Sequence, residues 1–186
     1  MPLFDVPGAA LYYETLGEGP LLLCISGANG SADLWKPLVR QLYKHFKVAT
    51  YDRRGFSRSL LLGAQDYDHR LQTDADDAER LIRHLSPDEP ATVLGNSSGA
   101  IVGLELLIRH PEAVRILMAH EPPAASLLPD CEELMAQQRE IYQTYRISGI
   151  APAAKMFAEF IKAGDETAGL LRAFDPKNGP FIFAST

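Results

Sequence analysis

The five residues LLLCI at 21–25 constrain this chain more than any other stretch. A strand with one face in water alternates apolar and polar residues. This run does not alternate, so it reads as a strand covered on both faces. Covering both faces requires helices on either side, and the chain supplies them in alternation. In SADLWKPLVRQLY at 31–43, Trp35, Leu38, Val39 and Leu42 recur at helical spacing, with Ser31 or Asp33 as the cap. FKVATYD at 46–52 is the next strand and RRGFSRS the loop after it. Residues 74–85 predict a helix through Ala75, Ala78, Leu81, Ile82 and Leu85, and ATVLG at 91–95 a strand. SGAIVGLELLIRH at 98–110 is apolar nearly all round and predicts a buried helix, ended by Pro111. VRILMA at 114–119 is a further strand. Two short strands at 3–5 and 11–15, separated by VPGAA, precede the alternation. Strand alternating with helix implies parallel pairing and right-handed crossovers, hence a doubly wound α/β sheet.

The pattern changes after HEPPA. Helices are expected at 131–147, through Leu134, Met135, Ile141, Tyr142 and Tyr145, and at 152–163, through Ala153, Met156, Phe157, Phe160 and Ile161. A short helix at 166–173 and a strand FIFA at 181–184 complete the reading. The expected organisation is an α/β core over residues 1–125 and a helical cap over 126–186.

Composition removes some classes of function. With 186 residues and a net charge of −6, the chain has no basic excess to neutralise phosphates, so nucleic acid is not an expected partner. No apolar run is long enough to cross a bilayer, so no membrane insertion is expected. The start MPLFDVPG lacks the basic and apolar regions of a secretory signal. Cys24 and Cys131 lie far apart, no Cys or His spacing suggests a metal, and a cytoplasmic setting is expected.

The chemistry centres on Gly95, Ser97 and Gly99, a G-x-S-x-G pattern between ATVL and the apolar helix. That context predicts a sharp strand-to-helix turn holding Ser97 out as a nucleophile, against the blander reading of a turn serine. The helix N-terminus favours developing negative charge there. The backbone amide of Ser98 is the expected oxyanion donor, and its hydroxyl need not take part. A second donor is expected from ISGANGS at 25–31, from Gly27 or Ala28.

These residues together resemble the α/β-hydrolase superfamily. SGANG stands at the family's oxyanion loop, with Ser26 in place of its usual histidine. YDRRGFSRS stands at its Asp-x-Arg-Gly-x-Gly-x-Ser loop, with Phe56 as a departure; GNSSG stands at its nucleophile elbow. RHPEAV followed by LMAHEPP is similar to the nucleophile helix leading into its sixth strand. The resemblance covers about residues 3–125 and implies structural roles for Asp52 and Arg53. It also implies the triad order Ser, acid, His. In members resembling zearalenone lactonases the acid is a glutamate just after the sixth strand. Glu121 in HEPP matches, 24 residues after Ser97. The alternative for Glu121 is a solvated or capping loop carboxylate.

The base is the difficulty. The histidines are His45, His69, His84, His110 and His120, and none follows residue 120. His120 precedes the acid and points away from it if strand alternation persists. The expected explanation is that the chain stops inside or just after the cap. It would then lack the base, keep little activity and leave an open strand edge through which copies could associate.

Two readings follow. One is a serine hydrolase of a small carboxylic ester or lactone, using Ser97, Glu121 and an absent histidine, with no cofactor. A carbon–carbon bond hydrolase would keep the same serine, whereas epoxide hydrolases and dehalogenases of this superfamily use aspartate there. The other is a non-catalytic protein that binds a small apolar ligand or a partner through the remaining cleft. The cap side chains Met135, Tyr142, Tyr145, Met156, Phe157 and Phe160 either wall an apolar pocket or only bury their own helices.

Overall fold

The computed structural model describes residues 3–161. These fall into two compact units, residues 3–123 and 124–161.

The first unit is a mixed seven-stranded sheet flanked by helices. Its strands are β1 (Leu3–Val6), β2 (Ala9–Leu16), β3 (Leu21–Ile25), β4 (Lys47–Tyr51), β5 (Leu60–Leu61), β6 (Ala91–Asn96) and β7 (Val114–His120). The order is β1-β2-β4-β3-β6-β7, with β5 paired to β2. Strands β4, β3, β6 and β7 run parallel; β2 pairs antiparallel with β1, β4 and β5. The helices are α1 (Lys36–Leu42), α2 (Arg70–Leu85) and α3 (Ser98–Arg109).

The run at 21–25 behaves as its composition demands. All five residues are buried, and they divide by parity. Leu21, Leu23 and Ile25 join a core with Leu81 and Ile82 of α2 and Val102 and Leu106 of α3. Leu22 and Cys24 join a second core with Trp35, Val48 and the α1 residues Leu38, Val39 and Leu42. One central strand therefore carries two cores, which is why it shows no polar face. Desolvation pushes the Cys24 thiol up to about 12, so it acts as a small apolar residue.

The elements differ from the expected ones in detail. Helix α1 is preceded by a 3₁₀ turn, Ala32–Trp35, capped by Ser31, whose side chain accepts from the Asp33 amide. Helix α2 begins four residues earlier than residue 74, at Arg70. The two-residue β5 carries too little pattern to be read from sequence. Helix α3 is buried on one face only: Leu107 is 39% and Ile108 75% exposed. Its apolar outer face follows from its place beside β7, an edge strand among the described residues, on which Ile116 and Met118 are also exposed.

The second unit contains α4 (Cys131–Ser148) and α5 (Ile150–Phe160), joined at Gly149 with φ +82° and packed on each other. Ala153, Ala154 and Ala158 are buried, while Met156, Phe157 and Phe160 are half-buried. The expected helix at 166–173 and strand at 181–184 lie outside the described residues. No described helix is long and apolar enough to cross a membrane.

Candidate active site

Strand order places the site. The crossover through α1 runs from β3 to β4 on one side, and the one through α2 returns past β3 to β6 on the other, so the strand order reverses at β3. Open α/β sheets bind ligands where the strand order reverses, at the carboxyl ends. Ser26–Ala28 leave β3 at that point, and Ser97 leaves β6 beside them.

Ser97 has φ +51° and ψ −126°, a backbone conformation that residues with a Cβ rarely adopt. Holding it costs about 1–3 kcal/mol, and the surrounding glycines explain how the turn is enforced. A Cβ on Gly95 would lie 2.4 Å from the Gly99 carbonyl oxygen, and one on Gly99 would lie 2.2 Å from the Ile25 carbonyl oxygen. Both positions meet backbone, which cannot swing away. Gly99→Ala is therefore expected to push α3 off β3 at a cost of about 3 kcal/mol. Thermal melting should show it; a melting temperature within about 2 °C of the parent would mean that the turn is not closely packed.

The register β6–β7 sets Asn96 opposite His120, and the Ser97 amide donates to the His120 carbonyl at 2.9 Å. The next residue of each strand is thus Ser97 on one and Glu121 on the other. Glu121 also has positive φ, +49°. Both strands break from extended geometry side by side, so the alternation used to aim His120 away from Glu121 stops at the strand's last residue. Glu121 is exposed and Ser97 half-buried.

The oxyanion candidates separate on geometry. The Gly27 amide donates to Asn96 Oδ1 at 2.9 Å, so it is already taken. A Cβ on Gly27 would stand 3.0 Å from Ser97 Cβ, so this glycine provides clearance. Ala28 is exposed, and among the described residues its amide has no hydrogen-bond partner. The Ser98 amide opens α3, where no intrahelical acceptor reaches. Asn96 was missed by the sequence reading because G-x-S-x-G leaves that position open.

The two departures noted in sequence are accommodated. Ser26 Oγ donates to the Ser31 carbonyl at 2.6 Å and accepts from Trp35 Nε1 at 2.9 Å, tying the loop to α1's approach. Phe56 fills an open position of its loop pattern and lies against Gly30, where any Cβ would come within 2.2 Å of its ring; the residue at the pattern's second glycine is Ser57, which takes the positive φ, +49°, that a glycine would. Asp52 is fully buried and fastens the loop after β4: it accepts from the Ala32 amide at 2.7 Å and from Arg58 Nε at 2.6 Å. Arg54 pairs with Asp77 through Nε and Nη2 at 2.8 and 2.7 Å. Burial, the largest influence, raises the Asp77 carboxyl above its ordinary range despite that partner.

Four histidines sit elsewhere in the fold, three of them with side-chain partners. His45 lies in the turn before β4. His69 bonds Asp66 at 2.8 Å, and His84 stacks on Phe4 and bonds the Tyr13 hydroxyl. His110 caps α3 at its far end and bonds Asp76 at 2.8 Å. Burial would raise Asp76, but Arg109 and His110 outweigh it and hold the carboxyl low. Among the described residues, Glu79, His110 and Glu112 bring ligand atoms within 4.8 Å of one another, a grouping invisible to sequence spacing. Arg83 pairs with both of those carboxylates, so the group is an ion-pair network.

Comparison with known proteins places this architecture. The family model described as "alpha/beta hydrolase fold" matches residues 20–183. An uncharacterized hydrolase, YraK, of Bacillus subtilis (strain 168) is 44% identical over 134 residues, 72% of this chain and 49% of that protein. The chain thus spans about half the length of this relative. The enol-lactonase from Burkholderia xenovorans LB400 superposes with a TM-score of 0.68 at 23% identity, over 92% of this chain and 65% of that one. An epoxide hydrolase from Bacillus megaterium superposes with a TM-score of 0.70 at 19% identity, over 96% and 68%. At these identities the two structures speak to fold alone.

Proposed function

The chain belongs to the alpha/beta hydrolase fold family, and from that premise we propose that it is the nucleophile-bearing part of a serine hydrolase of small carboxylic esters or lactones. Ser97 attacks the carbonyl carbon, and the Ala28 and Ser98 amides receive the oxyanion. Glu121 orients a histidine that takes the Ser97 proton and returns it to the leaving oxygen. Water then hydrolyses the acyl-serine by the same proton path. The observation that carries this reading is the side-by-side break of β6 and β7 at Ser97 and Glu121, both at positive φ. An epoxide-hydrolase reading is disfavoured, because the elbow holds a serine.

The reading needs a histidine that His45, His69, His84 and His110 do not provide. The test therefore runs on residues 1–186 and on a form carrying any further coding sequence of the gene. Each is treated with a fluorophosphonate probe, the adduct is mapped by mass spectrometry, and p-nitrophenyl acetate turnover is followed. Label on Ser97 and turnover in the longer form are expected. Label elsewhere, or none in either form, would sink the reading. In that case the non-catalytic alternative, a binder of a small apolar ligand, gains the ground that the histidine positions already lend it.

Among the described residues β7 has no strand on its outer edge, and Ile116 and Met118 are exposed on it; both support self-association by strand pairing. Cys24 and Cys131 are both free thiols, which fits the proposed cytoplasmic setting.

A further inference from the structure

We propose that Arg53 is a positioning residue of the oxyanion site, gripping both of its walls and polarising one of its donors. This rests on the serine-hydrolase reading above. Arg53 leaves β4 and is 9% exposed. Its Nη1 donates to the Ser26 and Gly27 carbonyls, each at 3.3 Å, and to Ser98 Oγ at 3.1 Å. One nitrogen thereby links the loop after β3 to the first residue of α3. Those two segments carry the proposed donors, Ala28 and Ser98.

The Gly27 carbonyl belongs to the same peptide unit as the Ala28 N–H. A cationic donor on that carbonyl draws electron density through the amide and makes the N–H a stronger donor. The Gly30 amide donates to the same oxygen at 3.0 Å, and the Arg53 amide donates to the Gly30 carbonyl at 2.8 Å. The loop is thus tied to itself and to the Arg53 main chain as well as to the guanidinium.

The charge balance agrees. Arg53 Nη2 pairs with Asp74 at 2.5 Å, and Arg70 Nε pairs with the same carboxylate at 3.0 Å. Two guanidinium groups share one buried anion, leaving a surplus positive charge behind the loop. Among the described residues, Arg53 Nε is buried with no hydrogen-bond partner. A group whose only task was to neutralise Asp74 would satisfy all its donors more easily in water. Here Nη1 is instead turned towards the two backbone segments.

The strengthened N–H gains most when negative charge develops on the substrate's carbonyl oxygen, so its effect falls chiefly on kcat and on transition-state-analogue affinity. Arg53→Met, in the form that hydrolyses p-nitrophenyl acetate, is expected to lower kcat about tenfold, less than the roughly hundredfold of deleting a donor outright. KM should change less than about twofold, and phenylboronate inhibition should weaken in parallel with kcat. Arg53→Lys should recover part of kcat, because a cation remains. A purely structural role would lower melting temperature without separating kcat from KM or shifting boronate affinity relative to substrate.

If Arg53→Met fails to fold, Ser98→Ala removes one grip and is expected to lower kcat and boronate affinity together about threefold. A folded Arg53→Met with parental kcat and boronate affinity overturns the proposal. So does parental behaviour of Ser98→Ala where Arg53→Met does not fold. Absence of label on Ser97 in the parent overturns the serine-hydrolase reading and this proposal with it; label with an intact Arg53→Met kcat overturns this proposal alone.

Discussion

Ser97→Ala is expected to lower kcat for p-nitrophenyl acetate by about 10⁶-fold in the active form, and to abolish fluorophosphonate labelling. Triad members act as a unit, so the residual rate comes from the oxyanion donors and binding. Alanine keeps a Cβ at φ +51° and ψ −126°, so the backbone cost stays and the melting temperature should barely move. Ser97→Gly abolishes turnover equally but relieves that cost. It should raise stability by about 1 kcal/mol, or roughly 2–4 °C for a chain of this size. The pair of variants separates the two features of the elbow, its chemistry and its strain. A Ser97→Ala protein retaining more than about a tenth of parental kcat would place the nucleophile elsewhere.

The sheet was legible because its central strand leaves no alternative. Leu21–Ile25 is buried residue by residue on two faces, and each face recruits helix residues whose spacing is visible in sequence. The strand-to-helix turn was legible because Gly95 and Gly99, on either side of Ser97, are fixed by clearance against backbone. The limits of the reading have physical causes as well. Leu107 and Ile108 read as core because composition does not reveal that β7 is an edge in the described structure. Choosing between Gly27 and Ala28 required the side chain of Asn96, which lies 69 positions along the chain from Gly27. The grip of Arg53 on Ser98 spans 45 positions. Such contacts depend on strand order, and strand order is not written in any local pattern.

Glu121→Gln is expected to lower kcat by about 10⁴-fold, with KM little changed. Glutamine keeps the shape of glutamate and loses its charge. It would no longer stabilise the imidazolium formed as Ser97 gives up its proton, and its amide would favour the wrong tautomer of the base. The backbone supports this role more directly than the side chain does. Glu121 follows His120, whose carbonyl holds the Ser97 amide at 2.9 Å, so any movement of Glu121 is coupled to the turn that carries Ser97. Glu121→Asp retracts the carboxylate by one methylene, and a misplacement of about 1 Å should cost roughly 10²-fold in kcat. Both variants should melt near the parent, because Glu121 is exposed and no core contact is removed. The graded order Glu, Asp, Gln at constant stability is the signature of an orienting carboxylate. A solvated loop glutamate would leave all three within about twofold, and the acid would then have to come from a different strand end.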